Sequence, residues 1–390
     1  MILGIFHKEL WPWRFHDDRK DPMYLTRKGQ SPRQAHVNIP SGLYEEEHGR
    51  KGFAGPASHL YRTHPPTNWL RIDGPCRPRA FQCQDLTPPD FFSKEDRPVE
   101  ILRSPDVRVH ISRRKETMPY YFRNADADEV HFVHKGRGLL ETDYGVLSYE
   151  PGDYLVIPKG TTYRTVVEEG PGVVLIIETP GPVMLPERGL LGQHALFDPE
   201  VLVVPELSAP VKKRGQDEWE LRIKRDGTYT KVFYPFSPLD VVGWKGEVWP
   251  TKLNVRDFRP VTSPRYHLPP SVHATFQAGG VWISTFAPRP LESEPGALKI
   301  PFYHRNTDFD EVLFYHEGNF FSRSGIHPGT LTLHPQGIHH GPHPGAVEAS
   351  QTQTETNEIA VMVESRRPFH VMLEVEAVEL KNYSMSWSTP

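Results

Sequence analysis

One feature limits this chain more than any other: it contains the same pattern twice. Residues 123–136 read RNADADEVHFVHKG and residues 305–318 read RNTDFDEVLFYHEG. Further on, in the same order, come PGDYLVIPKGTTY at 151–163 and PGTLTLHPQGIHH at 328–340. Both copies share RN-x-D-x-DEV-x-F-x-H-x-G, then PG, a run of mostly β-type residues, P-x-G, and a residue three places past that glycine. Two matched blocks in one order imply a duplicated unit. Around them, short runs such as YLVIPKG, GVVLIIETPG, EVLFYHEG, TLTLHPQG and IAVMVES are split by glycine and proline, the spacing of an antiparallel sandwich or barrel. Proline, at 40 of 390 residues, is about twice its usual share and works against long helices, because it lacks an N–H and clashes with the preceding turn. Only 46–52 and 216–224 read as weak helical pieces.

Each unit resembles the cupin barrel, whose first motif is a glutamate, a β-run and a glycine and whose second is PG, a β-run and P-x-G-x-x-H. The glycines permit tight turns, the P-x-G corner bends the chain between strands, and the strands roll into a small barrel able to hold one metal. The expected fold is mostly β, with duplicated cupin (jelly-roll) units. A Pro-rich lead-in at 1–115 wraps the body and begins with an aromatic arm. The first, metal-free cupin falls at 116–185, a β-rich connection at 186–289, the second cupin at 290–378 and a tail at 379–390.

The duplication allows a comparison within one molecule. Where the second copy has His304, Glu311 and His340, the first has Phe122, Glu129 and Tyr163. A purely structural role would not call for two histidines in one copy alone. Two neutral imidazoles and a carboxylate form a facial set that leaves open positions on iron(II), so these three are the expected metal ligands and Fe(2+) the expected cofactor. His304 and Glu311 would face opposite sides of a straight strand, so the intervening RNTDFD must turn. The repeat register selects His340 over its neighbour His339, which should point the other way. His334 matches Ile157, an inward position, and is expected to line the cavity or support a ligand. His316 matches His134 and reads as structural in both copies. His327 and His343 lie beside prolines and read as exposed turn residues.

At this point the chain resembles the homogentisate 1,2-dioxygenase family. The resemblance rests on PFYHRN at 301–306, Glu311 and HHGP at 339–342, on SPLDVVGWKGEVWPTKLNVRDF at 237–258, on YHLPPS at 266–271, and on IPSGLYEEEHGRKGFAGPASHLYRTHPP near the start. It implies an Fe(II) enzyme that opens the ring of homogentisate with O2 to give maleylacetoacetate, a step of tyrosine and phenylalanine breakdown. It implies that His304, Glu311 and His340 bind the metal. It makes His267 the acid/base and substrate-orienting group, with His273 as the fallback, and adds His334, His340, Arg305 and Phe320 as substrate-binding candidates. Because the metal-free copy keeps Arg123, Arg305 is equally open to a structural reading. The resemblance also implies trimers, paired into hexamers. The chain departs from the animal pattern by one extra residue between His304 and Glu311, by Phe302 in place of tyrosine, and by Phe320 where a substrate-contacting tyrosine is expected. The same ligand set would serve a related enzyme acting on gentisate or a hydroquinone, or a non-enzymatic two-cupin protein.

Composition narrows the partners. A net charge of −4 gives no general pull toward nucleic acid or anionic membrane, so the expected partners are a small aromatic acid and O2. Two cysteines, Cys76 and Cys83, fit a reducing cytoplasm, and no apolar run approaches membrane-spanning length.

Overall fold

The computed structural model describes residues 27–207, 218–300, 302–323 and 325–388; the aromatic start of the chain lies outside them. The two copies form two β-barrels packed against each other around one continuous core. Val130, Phe132, Leu175 and Ile177 of the first barrel and Val312, Phe314, Leu331 and Val363 of the second share one buried cluster. Phe132 and Phe314 occupy matching places in the repeat, with ring centroids 6.4 Å apart. Beside them His134 and His316, also a matched pair, share a hydrogen bond of 2.8 Å between their Nδ1 atoms.

The shared residues of the repeat explain themselves in the structure. Asn124 Oδ1 accepts from the backbone N–H of Asp126 (2.9 Å) and Ala127 (3.2 Å); Asn306 Oδ1 accepts from Asp308 (3.1 Å) and Phe309 (3.2 Å). This side-chain-capped turn reverses the chain between the two strands of each copy. Asp128 accepts from the N–H groups of Lys159 and Val183, and Asp310 from those of Gln336 and Phe369. The P-x-G glycines are tied down alike, with Gly160 N–H donating to Asn124 O and Gly337 N–H to Asn306 O, both at 2.8 Å. Asn, Asp and glycine thus make the same turn contacts in both copies.

The sheets reach beyond the spans expected from the repeat. The first barrel's sheet takes in Val99–Arg103, Arg108–Ser112, Trp219–Arg225, Thr228–Tyr234 and Thr251–Asn254. The second barrel's sheet takes in Ala274–Ala278 and Val281–Phe286 from the connection. The edges are exchanged: Arg79–Gln82, which precedes both copies, pairs with Thr330–His334 of the second barrel, while His370–Val371 pairs with Val99–Arg103 of the first. Most of both expected helical pieces is strand: 46–49 of the first lie in Tyr44–Gly49, with Gly52 opening the short 3-10 helix Gly52–Ala54, and 219–224 of the second lie in Trp219–Arg225. Each lies parallel to the opening strand of one copy. Glu47 stands opposite His304 and Arg222 opposite Phe122. Among the described residues no helix is long and apolar enough to cross a membrane.

Candidate metal centre

His304 sits on the strand Tyr303–Asn306 and Glu311 is the second residue of Asp310–Glu317. The Asn306 turn between them brings both side chains inward. His340 follows the P-x-G corner and returns to His304 through reciprocal backbone hydrogen bonds of 2.9 Å. All three side chains are buried.

Their hydrogen bonds fix the ring states. His304 Nδ1 lies 2.9 Å from Phe302 O, and His340 Nδ1 lies 3.3 Å from Ile338 O. A carbonyl can only accept, so each Nδ1 carries a proton and each Nε2 is the nitrogen turned to the site. Those Nε2 atoms stand 3.7 Å and 3.5 Å from Glu311 Oε2. Both are buried without a hydrogen-bond partner. One donor from each residue falls within 4.8 Å of the others. Burial works against charge on Glu311, but His340, His304 and His334 around it hold its carboxyl well below the usual range. Burial, with His304 beside it, lowers His340 to about 3. The cluster at neutral pH is therefore a carboxylate with a neutral His340 imidazole. Orphaned, converging lone pairs of two nitrogens and one oxygen fit a divalent transition metal.

Several groups hold this set in place. His334 Nδ1 is 2.9 Å from Glu311 Oε1, its Nε2 is 3.0 Å from Tyr383 OH, and its ring stacks on His340 with centroids 4.6 Å apart. Glu364 stands opposite Glu311 on the next strand, where burial and the Glu311 charge push it up to about 8. Phe53 and Phe302 present ring edges to His304 at centroid distances of 5.1 Å and 5.7 Å. His267 meets the Phe302 ring edge-on with centroids 6.2 Å apart, and its Nδ1 is 2.8 Å from Glu292 Oε1.

Other candidates are placed elsewhere. Arg305 alternates to the strand face opposite His304, and its Nε is 3.0 Å from Glu46 Oε1. His339 points the same way, with Nε2 2.9 Å from Glu46. Phe320 packs at 4.8 Å against Tyr315 in a small cluster with Tyr383 and Trp387. His273 is buried against Phe286 at 5.0 Å. His343, expected in solvent, is buried: its ring meets Trp387 at 4.4 Å, because the C-terminal residues fold over it. Tyr383, Trp387, Glu364 and Phe53 escaped the sequence reading. Only Glu364 had a signal, since it matches Glu178 on the closing strand of the first copy.

In the first copy the same positions are plugged. Tyr163 OH donates to Glu129 Oε2 at 2.9 Å and Phe122 closes on Tyr163 edge-on at 5.5 Å.

Comparison with known proteins agrees with this picture. The family described as homogentisate 1,2-dioxygenase N-terminal matches residues 101–255. A Saccharolobus solfataricus protein named "Putative dioxygenase" is 32% identical, over 94% of this chain and 100% of its own length. Homogentisate 1,2-dioxygenases of Rhodopseudomonas palustris and Bradyrhizobium diazoefficiens are 30% and 29% identical over 64% and 66% of this chain, but only 58% and 60% of theirs. Among solved structures, the Escherichia coli protein Ylba aligns over 76% of this chain and 93% of that one with 8% identity and a TM-score of 0.36. A cupin 2 conserved barrel domain protein from Leptotrichia buccalis aligns over 70% and 91% with 11% identity and a TM-score of 0.31. The relatives define an oxidoreductase of the dioxygenase type. The chain belongs to the family of the full-length Saccharolobus relative and is similar to the homogentisate 1,2-dioxygenases. It spans less than two thirds of the length of the homogentisate dioxygenases it matches.

Proposed function

We propose that this protein is an iron(II) dioxygenase that cleaves the ring of homogentisate to maleylacetoacetate. The observation that carries the reading is the pair of buried, unpartnered Nε2 atoms converging with Glu311 Oε2. His304, Glu311 and His340 would hold the ion. When bound, iron(II) supplies open positions for a chelating phenol and O2 and carries electron transfer between them. The chain's own residues do the rest. Phe53 and Phe302 wall the approach to His304 with apolar edges and limit water there. His267, with Nδ1 turned to Glu292, offers Nε2 to take the substrate's phenol proton, and the Glu292 carboxylate steadies the resulting imidazolium. His334 keeps Glu311 turned toward the two histidines.

The test is anaerobic iron reconstitution followed by oxygen uptake with homogentisate, gentisate and hydroquinones. Uptake with homogentisate and a ring-opened product supports the reading. Uptake with another of these alone replaces the substrate, an outcome favoured by Phe302, which brings no phenol to the site. Neither iron nor uptake would leave a non-catalytic two-cupin protein. The family reading also carries a cytoplasmic homotrimer or homohexamer, which light scattering of the purified protein checks.

A further inference from the structure

A second histidine–carboxylate set lies beside the barrel centre, where Glu47, on the sheet of Tyr44–Gly49, Ala57–Arg62 and Tyr303–Asn306, stands in register with His304. His36, Glu47 and His59 each bring one donor atom, all within 4.8 Å of one another. The rings of His36 and His59 meet edge-on at 4.9 Å, and His59 Nε2 is 3.9 Å from Glu47 Oε2.

Three features separate this cluster from a packed core. His36 is oriented as a metal-binding histidine is: Glu45 Oε1 holds its Nδ1, while Glu45 also accepts from the His36 backbone N–H at 3.1 Å and from Tyr61 OH at 2.7 Å. A carboxylate on Nδ1 fixes the ring so that Nε2 is the nitrogen left to face the other two residues. His36 is also held at φ 66°, a conformation that costs energy in a residue with a side chain and persists where its surroundings enforce it. The backbone bond from Leu298 N–H to His36 O at 2.8 Å is part of that enforcement. Finally, the other two residues face each other at 3.9 Å without a hydrogen bond between them, and the His59 side chain is 26% exposed. Glu47 is 7% exposed, and among the described residues its carboxylate accepts no hydrogen bond. His59 Nδ1 is buried without a partner. Leaving such groups unsatisfied is unfavourable unless something arrives to pair them.

Strand pairing does not account for Glu47. The equivalent place beside the first copy is held by Arg222, which pairs with Glu95 and Glu220. The second copy alone puts a carboxylate there, opposite His304.

We infer that His36, Glu47 and His59 form a second site for a divalent transition-metal cation, separate from the barrel site. The ion clasps the N-terminal hairpin to the turn at 34–38. His36 stacks on Phe302 at 4.4 Å and Phe302 in turn meets His304, so the site abuts the wall of the barrel centre.

The test is cobalt(II) titration of the full chain, with metal content measured after gel filtration and the visible Co(II) bands recorded. Wild type should bind two equivalents. Glu47→Gln and, independently, His59→Asn should each bind one and keep the barrel-site spectrum. Glu311→Gln should bind one and keep the other. One equivalent in wild type that Glu311→Gln abolishes, or a second equivalent that Glu47→Gln and His59→Asn both leave intact, overturns the inference. One equivalent sensitive only to Glu47→Gln and His59→Asn would uphold it and sink the barrel reading instead. Near-ultraviolet circular dichroism separates lost ligands from lost folding, and with two variants a single misfolder does not decide the result.

Discussion

The two barrels share a backbone plan and differ in what fills them. Around Glu129 the first places Phe122, Tyr163 and Ile157; around Glu311 the second places His304, His340 and His334. Tyr163 satisfies Glu129 with a hydroxyl, so the first barrel is finished without a ligand. The second leaves two buried ring nitrogens without a hydrogen-bond partner beside Glu311. The difference extends to the added strand, which sets Arg222 opposite Phe122 in the first copy and Glu47 opposite His304 in the second. One duplicated frame thus serves as scaffold in one half and as a donor cage in the other, through side chains that the turns do not need.

The largest effect should come from removing a donor. His340→Ala should bring barrel-site metal and oxygen uptake to background, read by elemental analysis and an oxygen electrode. The mirror experiment, Phe122→His with Tyr163→His, should add one weak equivalent in the first barrel. If it adds none, the frame alone does not make a site, and the Ile157/His334 difference matters more than the ligands suggest.

Next comes acid. Burial lowers His316 to about 4 and His134 to about 3, against 6.5 for an exposed histidine. Between those values the unfolded chain binds protons that the folded one refuses, so stability is full above pH 6.5 and falls as pH drops toward 4 and then 3. For His316 alone the loss is on the order of 3 kcal/mol. Urea unfolding at pH 7 and pH 4.5 measures it, and His134→Leu with His316→Leu should flatten the slope. An unchanged slope would mean that the junction of the barrels is not the acid-sensitive point.

His334→Ile, which copies the first barrel, should weaken metal binding by about 10–100-fold without abolishing it; equal affinity would remove His334 from the list of what distinguishes the copies. The smallest effect belongs to Tyr163→Phe, which leaves Glu129 short of a partner and should cost about 1–3 kcal/mol in urea unfolding with no change in metal content.

Much of this contrast could be read in advance, because a repeat aligns its own copies. Asn306 and Asp310 recur with Asn124 and Asp128, and the turn they make explains how His304 and Glu311, seven apart, converge. What was hidden depends on distant parts of the chain. Residues 46–52 read as a weak helical piece, yet the strand Tyr44–Gly49 runs through them. In the fold its three glutamates face remote groups: Glu45 meets His36 and Tyr61, Glu46 meets Arg62, Arg305 and His339, and Glu47 faces His59 at 3.9 Å. His343 looked exposed because nothing local announces that Tyr383 and Trp387 return over it. Local pattern reports turns and periodicity, whereas burial by a remote segment leaves no mark at the residue it buries.

The exchanged edges bear on how the molecule is made. Gln82 bonds to Thr330, 248 positions later, so during synthesis Arg79–Gln82 waits for its partner until most of the chain has been translated. The first barrel waits longer still, since its edge at Val99–Arg103 is closed by His370–Val371. Contacts this distant are slow to form, and an unclosed strand edge invites pairing with other chains. Completion of the first copy alone therefore closes neither barrel, and a gene split between the copies would yield two halves each missing a strand.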